Sequence, residues 1–526
     1  GYEEWGDELP KRLNGMFAFV VYDAVRKRLF LARDRFGEKP LYYSLQNGAF
    51  AFASELTALA AHSALDFRID SLGLQKFLAY GFTPAPNTIY RDCRKLPAGH
   101  SLTFDLRERS INLRCYWQLS LKPDESLTAR DEPRLAEELR ALIFEAVRRR
   151  LISDVPLGCF LSGGVDSSAV VAAAVRCRPA SSLDTFTIGF TDPSFDESAQ
   201  ARAAAGFFGT RHHEQILDLE AARNLIAPVL ERLDEPLGDA SILPTFLVSR
   251  FARQEVTVVL TGDGGDELFA GYDPFKALLP ARIYAALVPR SLNRGFRRLA
   301  ELLPISRRNM SLDFKLRRFL MGMSYPAACW NPVWLAPFDP GDMAELLNEA
   351  VSVQDVYSEA LECWESNSDS NFLDRTLAFY TRFYLQDDVL MKVDRAAMMN
   401  GLEGRAAFLD NDLVAFCERL PTRFKFAGGR GKKLLRRALE GIVPKAVLDR
   451  PKKGFGVPIS SWLRELSPPI GGQPEEFRPG TLERLWRDHA SGDADHRLSI
   501  WSCLSLHHHF AGMQLARSLD PLPDVA

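Results

Sequence analysis

The 526-residue sequence is short of several features, and each absence excludes something. It has no run of about 18 apolar residues, so no membrane-spanning helix is expected. Its first residues, Gly1–Gly15, contain no apolar core segment and do not read as a signal peptide. The 8 cysteines (Cys93, Cys115, Cys159, Cys177, Cys329, Cys363, Cys417 and Cys503) form neither a C-x-x-C pair nor a dense cluster. A disulfide framework and a zinc ribbon are therefore excluded, and reduced, mostly buried thiols of a cytoplasmic protein are expected. Histidines gather only as His212-His213 and His507-His508-His509. Neighbours on a strand face opposite ways, and the triplet lies in a helical segment where partial solvation is expected, so no zinc site is read. Basic charge is not in excess either: the net charge is −3, which argues against a nucleic-acid partner held through phosphates. No internal repeat is evident. The 46% hydrophobic and 25% charged residues are those of a globular protein. At roughly 150 residues per domain, the length predicts two or more domains.

The chain divides by pattern. Residues 1–120 carry short β runs at 15–23, 28–33, 39–44, 49–54, 100–104 and 111–117, separated by turn residues, with a short helix over 71–80. A polar stretch, 121–133, reads as a linker. From 134 onward the pattern changes: an amphipathic helix over 134–150, then strands at 155–161, 184–190 and 256–260 alternating with helices at 197–208 and 243–253, the former with Asp196 as N-cap. Such alternation predicts an α/β, doubly wound parallel sheet with ligands at the carboxyl ends of its strands. Residues from about 280 onward read as mostly helical and packed around that sheet.

The most informative stretch is Leu157–Ser168, LGCFLSGGVDSS. An apolar strand runs into Ser162-Gly163-Gly164-Val165-Asp166-Ser167-Ser168 and then into a helix former, Ala169–Val175. A strand, a glycine turn and a helix N-terminus together leave backbone N–H groups pointing outward, with the helix dipole behind them. The serines add donors, and Asp166 is able to hold a cation bridging phosphates. The turn has no lysine, so it is not the G-x-x-x-x-G-K-S/T loop. It resembles the PP-loop of ATP pyrophosphatases, which implies cleavage of ATP between its α- and β-phosphates.

The N-terminal third narrows the resemblance. Arg12–Phe19 (RLNGMFAF), Ala32–Tyr43 (ARDRFGEKPLYY) and Phe52–Glu55 (FASE) resemble the second half of a class II glutamine amidotransferase domain, an N-terminal-nucleophile sandwich. With SGGVDSS in the same chain, the whole is similar to the glutamine-hydrolysing asparagine synthetase family. In that family the glutaminase nucleophile is a cysteine at the first residue. Position 1 here is Gly1, and the fourteen residues before Gly15 are too few for the glutamine-binding stretches. The sequence is therefore expected to be an N-terminally truncated fragment with no glutaminase nucleophile. Neither Cys93 nor Cys115 is N-terminal, so neither is read as a substitute.

Further motifs follow. Thr261–Glu267 (TGDGGDE) sets three glycines and three acids directly after a strand. Asp266 pairs with Asp166 as a magnesium ligand set, two carboxylates leaving room for phosphates and waters. By resemblance, Thr261 and Gly262 line the nucleotide, Leu161 and Ile188 contact adenosine, and Asp263 has the place of an acid needed to form an acyl-adenylate. In Arg450–Gly456 (RPKKGFG), Lys452 is the better match to the family's catalytic lysine and Lys453 the second, with an electrostatic role at the α-phosphate. Leu385–Asp410 also matches at Lys392-Val393-Asp394-Arg395 and Phe408-Leu409-Asp410. It departs at Gly404, Ala406 and Ala407, where a missing proline is expected to loosen a loop near the substrate.

The resemblance implies ATP and Mg2+, with aspartate as acceptor and glutamine or ammonia as nitrogen source, and leaves a homodimer open. No membrane partner is expected. The implied reaction is amidation of aspartate to asparagine through β-aspartyl-AMP. Two alternatives are another carboxylate acceptor, as in β-lactam synthetases or lasso-peptide cyclases, and a silent nucleotide-binding regulator. Intact Asp166, Asp266 and Lys452 argue against the regulator.

Overall fold

Alternating apolar residues build two antiparallel sheets in the first part of the chain. Strands β1 (Ala18–Asp23), β2 (Arg28–Arg33), β3 (Tyr42–Gln46), β4 (Ala49–Ala53), β5 (Cys93–Lys95), β6 (His100–Asp105) and β7 (Ser110–Cys115) pair as β1-β2-β6-β7 and as β4-β3-β5. Leu31, Leu41, Leu96, Leu102 and Phe104 form a dry core between them, and the rings of Phe50 and Phe104 stack at 4.3 Å. These coordinates are a computed structural model describing residues 1–306, 308–454, 456–466 and 474–518. The expected hairpin series is thus split between two sheets. The short β5 went unanticipated because its three residues, Cys-Arg-Lys, carry no strand signal of their own.

The helix Ser71–Tyr80 forms as expected. It ends at Gly81 in the left-handed conformation, φ 82°, whose N–H closes on the Phe77 carbonyl. The next major helix, Glu132–Arg150, starts inside the stretch read as linker, because Pro133 suits a first helical turn.

Five strands then form an all-parallel sheet in the order β10-β9-β8-β11-β12, from β8 (Leu157–Phe160), β9 (Asp184–Phe190), β10 (Arg211–Leu217), β11 (Val258–Thr261) and β12 (Glu403–Ala406). Helices cover both faces. Val258 and Leu260 point into one apolar cluster with the helices Glu132–Arg150 and Val165–Cys177. Val259, between them, points into the other, with Leu219–Leu230 and Ile242–Ala252. Asp196 does not take the N-cap position expected for it. The cap is Glu197 and the helix is Ser198–Phe208, although the Asp196 carboxylate accepts the N–H groups of Ser198 and Phe190.

Two further expectations are corrected, and the expectation of mostly buried cysteines holds. The segment at Gly404, Ala406 and Ala407 is no loosened loop: β12 pairs with β11 over Val258–Thr261, and Ala406 and Ala407 are buried. His509 is not solvated. It is fully buried, with Tyr90 Oη at 2.7 Å and the Leu233 carbonyl at 3.1 Å. Of the cysteines, Cys115 and Cys177 are exposed and the other six buried.

Buried and half-buried ion pairs join the antiparallel sheets to the rest. Lys95 lies 2.8 Å from Glu235 and 3.4 Å from Asp387, Lys39 lies 2.7 Å from Asp394, and Arg395 pairs with Asp234. Lys95, Glu235 and Asp387 are all buried, so removing the cation strands two carboxylates. Lys95→Met is expected to cost about 3–5 kcal/mol in a urea unfolding titration. A loss under about 1 kcal/mol would mean that the pair contributes as little as an exposed one.

Candidate active site

The carboxyl ends of β8, β9 and β11 open into a cavity of about 960 Å³. After β8, Gly163 turns the chain at φ 71°. A Cβ there would stand 2.6 Å from the Gln200 backbone, so the turn packs on the helix Ser198–Phe208 in a way only glycine permits. The serines hold the turn in shape: Ser167 Oγ accepts the Ser162 N–H at 3.2 Å, and Ser162 Oγ accepts the Gly164 N–H at 3.3 Å. No side chain caps the helix Val165–Cys177. Its first residues, Val165, Asp166 and Ser167, line the cavity, so the uncapped helix start lies where it suits a phosphate.

Leu161, Ser162, Gly164, Val165, Asp166, Ser167, Ile188, Thr261, Gly262, Asp263, Asp266, Lys452 and Lys453 all line this cavity. Two residues of the expected nucleotide set do not. Gly163 supports the turn from behind, and Ser168 is fully buried beneath it. Phe455, in the lysine loop, lies outside the described residues.

The acidic centre holds a cation that the sequence reading missed. Lys432 is buried, donates to Asp166 and lies 2.5 Å from Asp266 Oδ1. Lys452 reaches Asp266 Oδ2, also at 2.5 Å, whereas Lys453 Nζ donates to the Asp196 carbonyl at 3.0 Å. Lys432 adopts a left-handed φ of 60°, uncommon for a side chain of this size. Gly271 makes way for it: a Cβ there would collide with Lys432 Cε and with Asp266 Oδ1. In sequence, Lys432 stands in a basic run, GRGKKLLRR, which looks like any solvated helix start. Only the fold turns it inward.

Electrostatics follow from burial and pairing. Burial raises the Asp166 carboxyl, and Lys432 only partly offsets this. Burial acts the same way on Asp266, but Lys432 and Lys452 outweigh it and hold that carboxyl below its ordinary range. Burial lowers the Lys452 ammonium, and Asp266 and Asp166 more than reverse it. Asp263 is pushed up by burial.

The pair Asp166 and Asp266 fits a divalent cation. Asp166 Oδ1 is buried with no hydrogen-bond partner, and two carboxylates leave the other octahedral positions to phosphates and water. Among the described residues, no group of three or more His, Cys, Asp or Glu side chains is placed to hold a metal unaided.

A second charged group at the cavity wall was also missed. Lys392 Nζ lies 2.5 Å from Asp239 Oδ2. Asp388 beside them keeps a buried Oδ1 without a hydrogen-bond partner. Asp388 belongs to a π-helical stretch, Tyr380–Leu390, whose wider turn gives Tyr380, Tyr384 and Asp388 to the cavity and Asp387 to Lys95. In sequence, Lys392 belongs to the Lys392-Val393-Asp394-Arg395 match but carries no assigned role.

Residues 138–515 match the Asparagine synthase family, and residues 1–117 match the Glutamine amidotransferase domain. The chain belongs to the asparagine synthase family. A Mycobacterium tuberculosis protein named, provisionally, as a glutamine-hydrolyzing asparagine synthetase is 34% identical over 96% of this chain and 77% of its own length. Asparagine synthetase (glutamine-hydrolyzing) 1 of Bacillus subtilis is 32% identical over 96% of this chain and 78% of its own. More distantly, Amidase chyE of Penicillium rubens is 27% identical over 88% of this chain and 72% of its own. The protein is thus a ligase that forms carbon–nitrogen bonds in ATP-dependent amidation. No helix among the described residues is long and apolar enough to cross a membrane.

Proposed function

We propose that this enzyme activates the side-chain carboxylate of aspartate as β-aspartyl-AMP and converts it to asparagine. The supporting observation is that the glycine turn, the acidic loop with Asp266 and the lysine loop with Lys452 meet in one cavity. A carboxylate oxygen attacks the α-phosphorus of ATP, and the bond from that phosphorus to the bridging oxygen breaks, releasing pyrophosphate. Ammonia then attacks the acyl carbon, AMP leaves, and one proton is lost. The turn holds the phosphates through its backbone N–H groups and the hydroxyls of Ser162 and Ser167, with Gly163 and Ser168 supporting it from behind and Leu161, Ile188, Thr261 and Gly262 around the nucleoside. Magnesium held by Asp166 and Asp266 would supply charge neutralisation at the phosphates. Lys452 stabilises charge gathering on the α-phosphate. Asp263 orients the acceptor.

Lys432 is assigned to the departing pyrophosphate. Among the described residues it is the one cation paired with both carboxylates, and it is fixed by a backbone conformation that the surrounding residues must enforce. Lys432→Met is expected to lower pyrophosphate release about a hundredfold. ATP titrated into the magnesium-free protein should bind more weakly, a change that loss of packing alone would not single out. Unchanged release would return Lys432 to a purely structural role.

The substrate test is direct. Pyrophosphate release is measured with ATP, magnesium and ammonium, with aspartate or with other carboxylates as acceptor, and the product is identified by mass spectrometry. Aspartate-dependent release with asparagine as product upholds the proposal. A second reading, another carboxylate acceptor, is favoured by the likeness to an enzyme named an amidase. Release with a different carboxylate, and none with aspartate, would establish it.

A further inference from the structure

Two helices, the first of which starts at the cavity rim with Asp273 and Pro274, expose an apolar surface that the reaction does not use. Helix Asp273–Leu287 is followed, after Val288 and Pro289, by helix Arg290–Glu301. Tyr284 and Phe296 hold the pair together, with rings 6.4 Å apart, and Tyr284 Oη donates to Asn293 Oδ1 at 3.0 Å. Around that contact, apolar side chains face solvent. Leu279, Ile283 and Leu287 recur every four residues on the first helix, and Leu292, Phe296, Leu299 and Leu303 make one stripe on and just past the second. Leu287 is 76% exposed, Leu302 80% and, on the next helix, Leu312 86%.

The same region is strongly basic. From Asp273 to Arg318 the sequence has eleven lysines and arginines against three carboxylates, in a chain whose net charge is −3. Arg290, Arg294 and Arg298, on the second helix, and Arg308 beyond it are exposed. Among the described residues, none of the four makes an ion pair.

We propose that this helix pair is a seat for an anionic lipid surface. The leucines would enter the boundary between headgroups and acyl chains, and the arginines would lie among the lipid phosphates. Charge complementarity selects this occupant. A second copy of the chain, related by a two-fold axis, would bring one basic face against another. The expectation of no membrane partner rested on the missing spanning run, and an interfacial helix needs none. The segment that follows the pair supplies Asn309 and Met310, and the helix Leu312–Gly322 supplies Phe314, to the cavity wall, so a bilayer seated there would adjoin the active site.

The test is co-sedimentation of the full chain with phosphatidylcholine vesicles, with and without phosphatidylglycerol, at low and high salt. Binding is expected only with phosphatidylglycerol and should weaken with salt. Arg294→Gln with Arg298→Gln should weaken it about thirtyfold, and Leu287→Ser with Leu302→Ser at least about tenfold. All four positions are exposed or half-buried surface, so melting temperature and ATP binding should not change. No binding to either vesicle, equal binding to both, or unchanged binding by both variants would overturn the proposal. So would a concentration-dependent dimer, seen by analytical ultracentrifugation, that the leucine variant abolishes. That result would mean a second copy covers the face.

Discussion

With Asn in place of Asp266, acceptor-dependent pyrophosphate release is expected to fall about a thousandfold, a loss of several kcal/mol in the transition state. Asn keeps the size of the side chain and removes its charge. In the native protein this carboxylate is met by the buried Lys432 and the half-buried Lys452, each at 2.5 Å, so the substitution leaves two ammonium groups sharing one fewer counter-charge. Asp166→Asn should give a comparable loss, because its free Oδ1 is the other half of the proposed cation site. The double variant should be little worse than either single one, since two groups that hold one ion act as a unit. Titrating Mn2+ calorimetrically with ATP present separates the causes: each single variant should lose metal affinity as well as rate. Near-normal turnover of either variant with magnesium would refute the metal assignment. Rate loss with unchanged Mn2+ affinity would leave both carboxylates as counter-ions of the lysines alone.

How far the sequence carried this reading depended on whether each signal was local. The glycine turn was legible because Ser162–Ser168 holds strand end, turn and helix start in consecutive residues. The helix Ser71–Tyr80 was legible for the same reason, with Gly81 at its end. The parallel sheet followed from alternation over 155–260. Its edge strand β12 did not, because Glu-Gly-Arg-Ala has no strand propensity and becomes a strand only by pairing with β11, some 140 residues earlier. His509 was misjudged because its partners, Tyr90 and Leu233, come from distant segments. Lys432 was invisible on the same grounds: a basic helix start is ordinary unless a glycine elsewhere, here Gly271, opens the path inward. The helices from about residue 280 onward were expected to pack around the sheet. The pair from Asp273 to Glu301 instead turns much of its apolar surface to solvent.

The two adjacent lysines of the RPKKGFG loop give the sharpest test of residue against residue. Lys452→Ala is expected to lower the turnover number for pyrophosphate release by about two to three orders of magnitude. The dissociation constant for ATP should change only a fewfold, because the interaction is assigned to charge that develops on the α-phosphate. Lys453→Ala should stay near wild type. The geometry separates the pair: Lys452 Nζ points to Asp266 in the cavity centre and lies 5.8 Å over the Tyr272 ring. Lys453 Nζ is spent on the Asp196 carbonyl, at the turn before the helix Ser198–Phe208. Loss of Lys453 therefore costs loop anchoring, which should appear in the melting temperature before it appears in the rate. Lys452→Arg keeps the charge but carries a planar, broader head into a slot already shared with Lys432, and should restore only part of the activity. Equal losses of turnover and ATP affinity in Lys452→Ala would make that lysine a ground-state binding residue. A normal Lys452 variant beside an inactive Lys453 variant would move the role one position along the loop, and would require the loop to rearrange when ATP binds.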